Sequence, residues 1–98
     1  MNQEPVQQNI NVKIDDVVLK GSYANNMQIG FSPEEFILDF MNLFPPQGIM
    51  TNRIFISPGH MKRMVAVLTD TLKKYEDQHG AIRQASAPVN SEIGFKTQ

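Results

Sequence analysis

The chain has 98 residues and no cysteine, and nine basic side chains against ten acidic ones leave a net charge of −1. That length holds one domain with a limited core, the missing thiols exclude disulfides and cysteine-based chemistry, and the near-neutral balance argues against a general nucleic-acid binder. Apolar residues are 41% and charged residues 19%, which suits a soluble folded chain rather than a disordered one. No stretch approaches the ~18 apolar residues that span a bilayer. The opening "MNQEPVQQN" has neither the basic start nor the apolar core of a signal peptide, so a cytoplasmic location is expected.

Residues 1–8 read as a flexible arm, 9–80 as a single domain and 81–98 as a flexible or peripheral tail. From Ile10 the chain alternates, with Ile10, Val12 and Ile14 on one side and Asn11 and Lys13 on the other, the pattern of a half-buried strand. Asp15-Asp16 then predicts a turn. A second strand is expected over Val17 to Phe31, where Val17, Leu19, Tyr23, Met27, Ile29 and Phe31 share one parity. Gly21 marks a bulge or kink within it. Asn25 falls on the apolar parity and needs hydrogen-bond partners if buried.

The segment "EEFILDFMNLF" supports two readings. As a helix, Ser32 is the N-cap, Pro33 the first helical residue and Glu35 the far end of a capping box. As a strand, Phe36, Leu38 and Phe40 alternate and Ser-Pro-Glu-Glu is a type I turn; the three phenylalanines favour this reading. Pro45-Pro46-Gln47-Gly48 is a loop by composition, and "MTNRIFIS" a short strand with Ile54 and Ile56 inward and Arg53 and Phe55 opposite. Ser57 must be extended before Pro58, with its hydroxyl placed to cap the next element. From Pro58 to His79 runs the clearest element, a helix of about 33 Å. Met61, Met64, Val65, Leu68, Leu72 and Tyr75 form its apolar stripe, and Gly80 stops it.

"SYAN" at 22–25, "SPEEFILDF" at 32–40, "RIFISPGHMKRM" at 53–64 and "KKYEDQHG" at 73–80 stand in this order across the chain. With them it resembles a small prokaryotic family, domain of unknown function thirty-four sixty-seven, over roughly residues 9–82. It departs from that pattern at Gly59 and Met61, where the family would carry a larger residue and an alanine. The resemblance implies alternation through 35–43, hence a strand there, and it implies no activity. Tyr23, Asn25, Ser32, Pro33, Phe36, Asp39, Phe40, Ser57, Pro58, Tyr75 and Gly80 are expected to be structural.

Catalysis is not expected. The two histidines, His60 and His79, lie in no metal-ligand spacing, and no nucleophile has an activating partner nearby in sequence. Ser57 is better explained as a cap than as a nucleophile beside His60. No cofactor or metal is implied; Glu34, Glu35 and Asp39, even with His60, are loosely spaced for a cation. His60, Lys62 and Arg63 put positive charge at a helix end that is already positive, which costs about 0.3–1 kcal/mol per charge. A salt bridge to Glu34, Glu35 or Asp39, or plain solvation, would offset it. The sharper alternative is a small anion held there.

Association is the stronger expectation. If residues 34–44 form a strand, Phe36, Leu38 and Phe40 line one face and Ile37, Met41 and Leu43 the other. One helix covers one face, leaving Ile37, Met41, Leu43 and Phe55 as an interface that a homodimer or other closed oligomer buries. The alternative cover is the tail, anchored by Ile93 and Phe95. The expected fold is therefore α+β, a four-stranded antiparallel meander followed by one long C-terminal amphipathic helix. The expected function is a non-enzymatic, homo-oligomeric interaction or scaffold module, with room for an unidentified protein partner and no membrane. The rival is an oligomer that binds nucleic acid through Arg53, Lys62, Arg63, Lys73 and Lys74.

Overall fold

The computed structural model describes residues 8–88. A short helix α1 (Asp16–Lys20) precedes strands β1 (Asn26–Phe31), β2 (Phe36–Phe44) and β3 (Gln47–Ile56), and a long helix α2 (Pro58–His79) comes last. The strands form one antiparallel sheet in the order β1-β2-β3. The architecture is α+β as expected, but among the described residues the meander has three strands, not four.

The first of the expected strands finds no partner among the described residues. Ile10 to Ile14 alternates but pairs with nothing among the described residues, and all three apolar side chains stand exposed. Beyond it, Val17-Val18-Leu19 is a continuous apolar run rather than an alternating one, and it coils into α1. Asp15 holds the extended N-cap position, Asp16 and Lys20 sit at the helix ends that suit their charges, and Gly21 closes it at φ +78°. The Asp-Asp turn and the glycine bulge expected within a long strand are thus the start and stop of a helix. Tyr23, expected to be structural on an inward parity, is exposed.

Segment 36–44 is a strand, and the bonds of Ser32 explain why its helical signature misleads. The Ser32 hydroxyl accepts the N–H groups of Glu34 and Glu35, each at 3.3 Å, while its own N–H donates to the Glu35 carbonyl at 2.9 Å. A side chain able to cap a helix here closes a tight turn instead. Phe31 and Phe36 face each other across that turn with ring centroids 5.8 Å apart.

The second hairpin is tighter than its composition suggests. Phe44 pairs with Gln47, so the connection is Pro45-Pro46 alone, joined by a cis bond. Gly48 lies opposite Leu43, where a Cβ would come 2.5 Å from Leu43 Cδ2. Pairing then slips by one residue: Met41 faces Met50, but Phe40 faces Asn52. Thr51 is the extra residue of this bulge, and its hydroxyl donates to the Phe40 carbonyl at 3.1 Å.

Buried apolar side chains among the described residues are Leu38, Met41 and Leu43, all on the central strand. Asn25 finds the partners its position demands. Its amide donates to the Leu43 carbonyl at 2.9 Å and accepts the Leu43 N–H at 2.8 Å, imitating one more rung of the β1–β2 ladder. Helix α2 runs over the span its periodicity predicts, yet none of its residues is buried.

Candidate functional site

The start of α2 is built by Ser57, extended at φ −73°, ψ 154°, whose hydroxyl accepts the His60 N–H at 3.2 Å. Pro58 has no N–H to offer, and the Met61 N–H goes to the Ser57 carbonyl at 3.0 Å. An anion at this terminus would find the Gly59 N–H and little else from the first turn. The cations fare similarly. Arg63 donates to His60 Nδ1 at 2.7 Å, and a guanidinium has only donors, so that ring nitrogen is an acceptor here. Ser57 meets His60 through the backbone and not through the imidazole.

Asp39 takes no part in an acidic cluster. It lies directly opposite Arg53, which grips it with two hydrogen bonds of 2.7 and 2.9 Å. These bonds hold the carboxyl below the usual aspartate range, against the opposing effect of burial and with the help of the guanidinium charge. Glu34 is engaged with the Ser32 hydroxyl at 3.3 Å, and among the described residues no three potential metal ligands gather. Three of the five basic residues suggested for nucleic acid have carboxylate partners within the chain: Arg53 with Asp39, Lys73 with Asp77 at 3.0 Å, and Lys74 with Asp70 at 3.1 Å.

The residues expected at an oligomer interface are distributed otherwise than expected. Met41 and Leu43 are buried within the single chain, at 1% and 8% exposure, Ile37 is half-buried, and only Phe55 is open. The opposite face carries the larger exposed apolar surface, around a centre where Leu38 is buried. Its exposed members are Met27, Ile29 and Phe31 from β1, Phe44 from β2, and Ile49 and Ile54 from β3. Phe36 and Phe40, structural on the sequence reading, are half-buried on this same face.

The second bare surface is the stripe of α2. Val65, Leu68, Leu72 and Tyr75 are exposed, with Met61 half-buried at the root of the helix. Tyr75 rests its ring beside His79, 4.7 Å between centroids, and Gly80 ends the helix at φ +91° with its N–H on the Glu76 carbonyl at 2.8 Å. Where α2 leaves the sheet, Phe36 faces Pro58, Gly59, Met61, Lys62 and Val65 across an open apolar cleft of about 490 Å³. No helix among the described residues is long and apolar enough to cross a membrane. The suggested tail anchors Ile93 and Phe95 lie outside the described residues.

The side chains fall on the two faces as the alternation predicts, Ile37, Met41, Leu43 and Phe55 on one and Phe36, Leu38, Phe40, Ile54 and Ile56 on the other, but sequence reasoning missed the Asp39–Arg53 pair. Counting back from the Pro45-Pro46 turn puts Asn52, not Arg53, opposite Asp39; the bulge at Thr51 makes the difference. In comparisons with known proteins, one family matches residues 1–84, under the description Protein of unknown function (DUF3467). No curated protein and no solved structure matches the chain.

Proposed function

Since the chain belongs to this family of unknown function, we propose from its surfaces that it is a non-enzymatic module acting through self-association, with a homodimer as the simplest closed form. One observation carries the reading: the margins of one sheet face, around the buried Leu38, and the stripe of α2 both carry exposed large apolar side chains, while only three apolar side chains are buried among the described residues. Fully exposed aromatic side chains offer about 150–250 Å² each. At the observed exposures the ten large apolar residues of these two surfaces present together on the order of 1,000 Å². Divided between the two surfaces, each matches the ~300–600 Å² of the largest single patch on an ordinary monomer, and this chain carries two. A cytoplasmic setting and a scaffold role toward another protein belong to the same proposal. Light scattering at micromolar concentration is expected to return a mass of at least two chains. A single-chain mass overturns the reading.

A further inference from the structure

We propose that two copies associate by exchanging helices, the α2 stripe of each lying across the bare sheet face of the other; this rests on the self-association just proposed and names its partner surface. The connection between β3 and α2 is the first reason. Ile56 ends the strand, Pro58 begins the helix, and Ser57 alone stands between them. Strand-to-helix connections that return a helix over its own sheet commonly use 2–6 residues. Here the single residue is extended and the next has its φ fixed by a proline ring. The helix leaves its own sheet after the cleft at Phe36, and both surfaces are stranded by the same joint.

The two surfaces fit one another in length and character. From Met61 to Tyr75 the stripe covers about 21 Å at 1.5 Å per residue. The six residues of β1 and the nine of β2 extend about 20 and 30 Å. The charges on the far side of α2 are matched within the helix, Lys73 to Asp77 and Lys74 to Asp70, and stay in solvent when the stripe docks. The opposite face of the sheet, with Asp39 and Arg53 paired across it and Met41 and Leu43 buried, has less to gain from a cover. A two-fold exchange buries the stripe and the face of each copy at once. The area so removed, at most on the order of 1,000 Å² per protomer, is comparable to the ~800 Å² each partner buries in a standard interface.

The absence of cysteine from the sequence makes the test direct. Ile29→Cys on the sheet face and Leu68→Cys on the stripe are prepared as single variants at exposed sites. They are refolded together and treated with a short bismaleimide. The expected product is a covalent dimer joining position 29 of one chain to position 68 of the other, abundant in the mixture and absent from either variant alone. Self-linked Leu68→Cys, meaning a helix-to-helix seam, overturns the exchange, as does self-linked Ile29→Cys, meaning sheet against sheet. Linkage within one chain of the double variant, meaning a helix folded back, also overturns it. Light scattering on the same samples separates the failures. A dimer without the 29–68 link removes the exchange alone, and a monomer removes the self-association reading with it. As a second measurement, Ile29→Asp and Leu68→Asp are each expected to raise the dissociation constant at least tenfold. Val67→Asp, exposed beside the stripe, should leave it unchanged; equal effects from all three overturn the proposal.

Discussion

Asp39 is the one buried charged residue among the described ones, and its place depends on Thr51. Without the extra residue Arg53 would fall opposite Leu38, on the other side of the sheet, because a one-residue slip reverses every side chain beyond it. With it, the guanidinium closes on the carboxylate and pulls its pKa down. The unfolded chain then binds a proton more readily than the folded one, so the pair's stabilisation is complete above about pH 4, the unfolded aspartate value, and is lost as pH falls through the lower folded value. Urea midpoints measured from pH 7 downwards should therefore fall in that acid window. Asp39→Asn should flatten the fall, and an unaltered acid limb in that variant would refute the assignment. Asn25 shows the complementary case. Its need for partners was readable from its parity, but that the partner is the backbone of Leu43 was not, because the two lie 18 residues apart.

At the scale of elements, two Ser-Pro pairs do different work. Ser57-Pro58 caps α2, and both ends of that helix are legible in sequence because capping, proline at the first turn and a closing glycine are local devices. Replacing Ser57 by alanine should cost about 1 kcal/mol in unfolding free energy, read by denaturant titration of the helical signal; no change would mean that the cap bond contributes nothing. Ser32-Pro33 carries the same local signature, yet its hydroxyl closes a turn. There the pairing of Phe36 to Phe44 with strands on both sides outweighs a single cap. The reverse happens at Ile10 to Ile14, where clean alternation finds no partner strand among the described residues. Periodicity reports which face a segment would bury, and whether a neighbour exists to bury it is decided elsewhere in the chain.

For the whole molecule, the consequence is a sheet and a helix that do not cover each other. Stability that depends on a second copy varies with concentration. The melting temperature is expected to fall on serial dilution from high to low micromolar, and a constant value across that range would count against association. The sequence by itself determined the α+β class, the long helix with both its boundaries, the Ser57 cap and the surplus of apolar surface, since each comes from local chemistry or from counting. Only the tertiary structure decided the number of strands, the Asp39–Arg53 pair and which face of the sheet lies bare. The first and last turn on whether a distant partner covers a segment, which local pattern does not encode, and the pair turns on register, since one unpaired residue, Thr51, sets the register of half a strand.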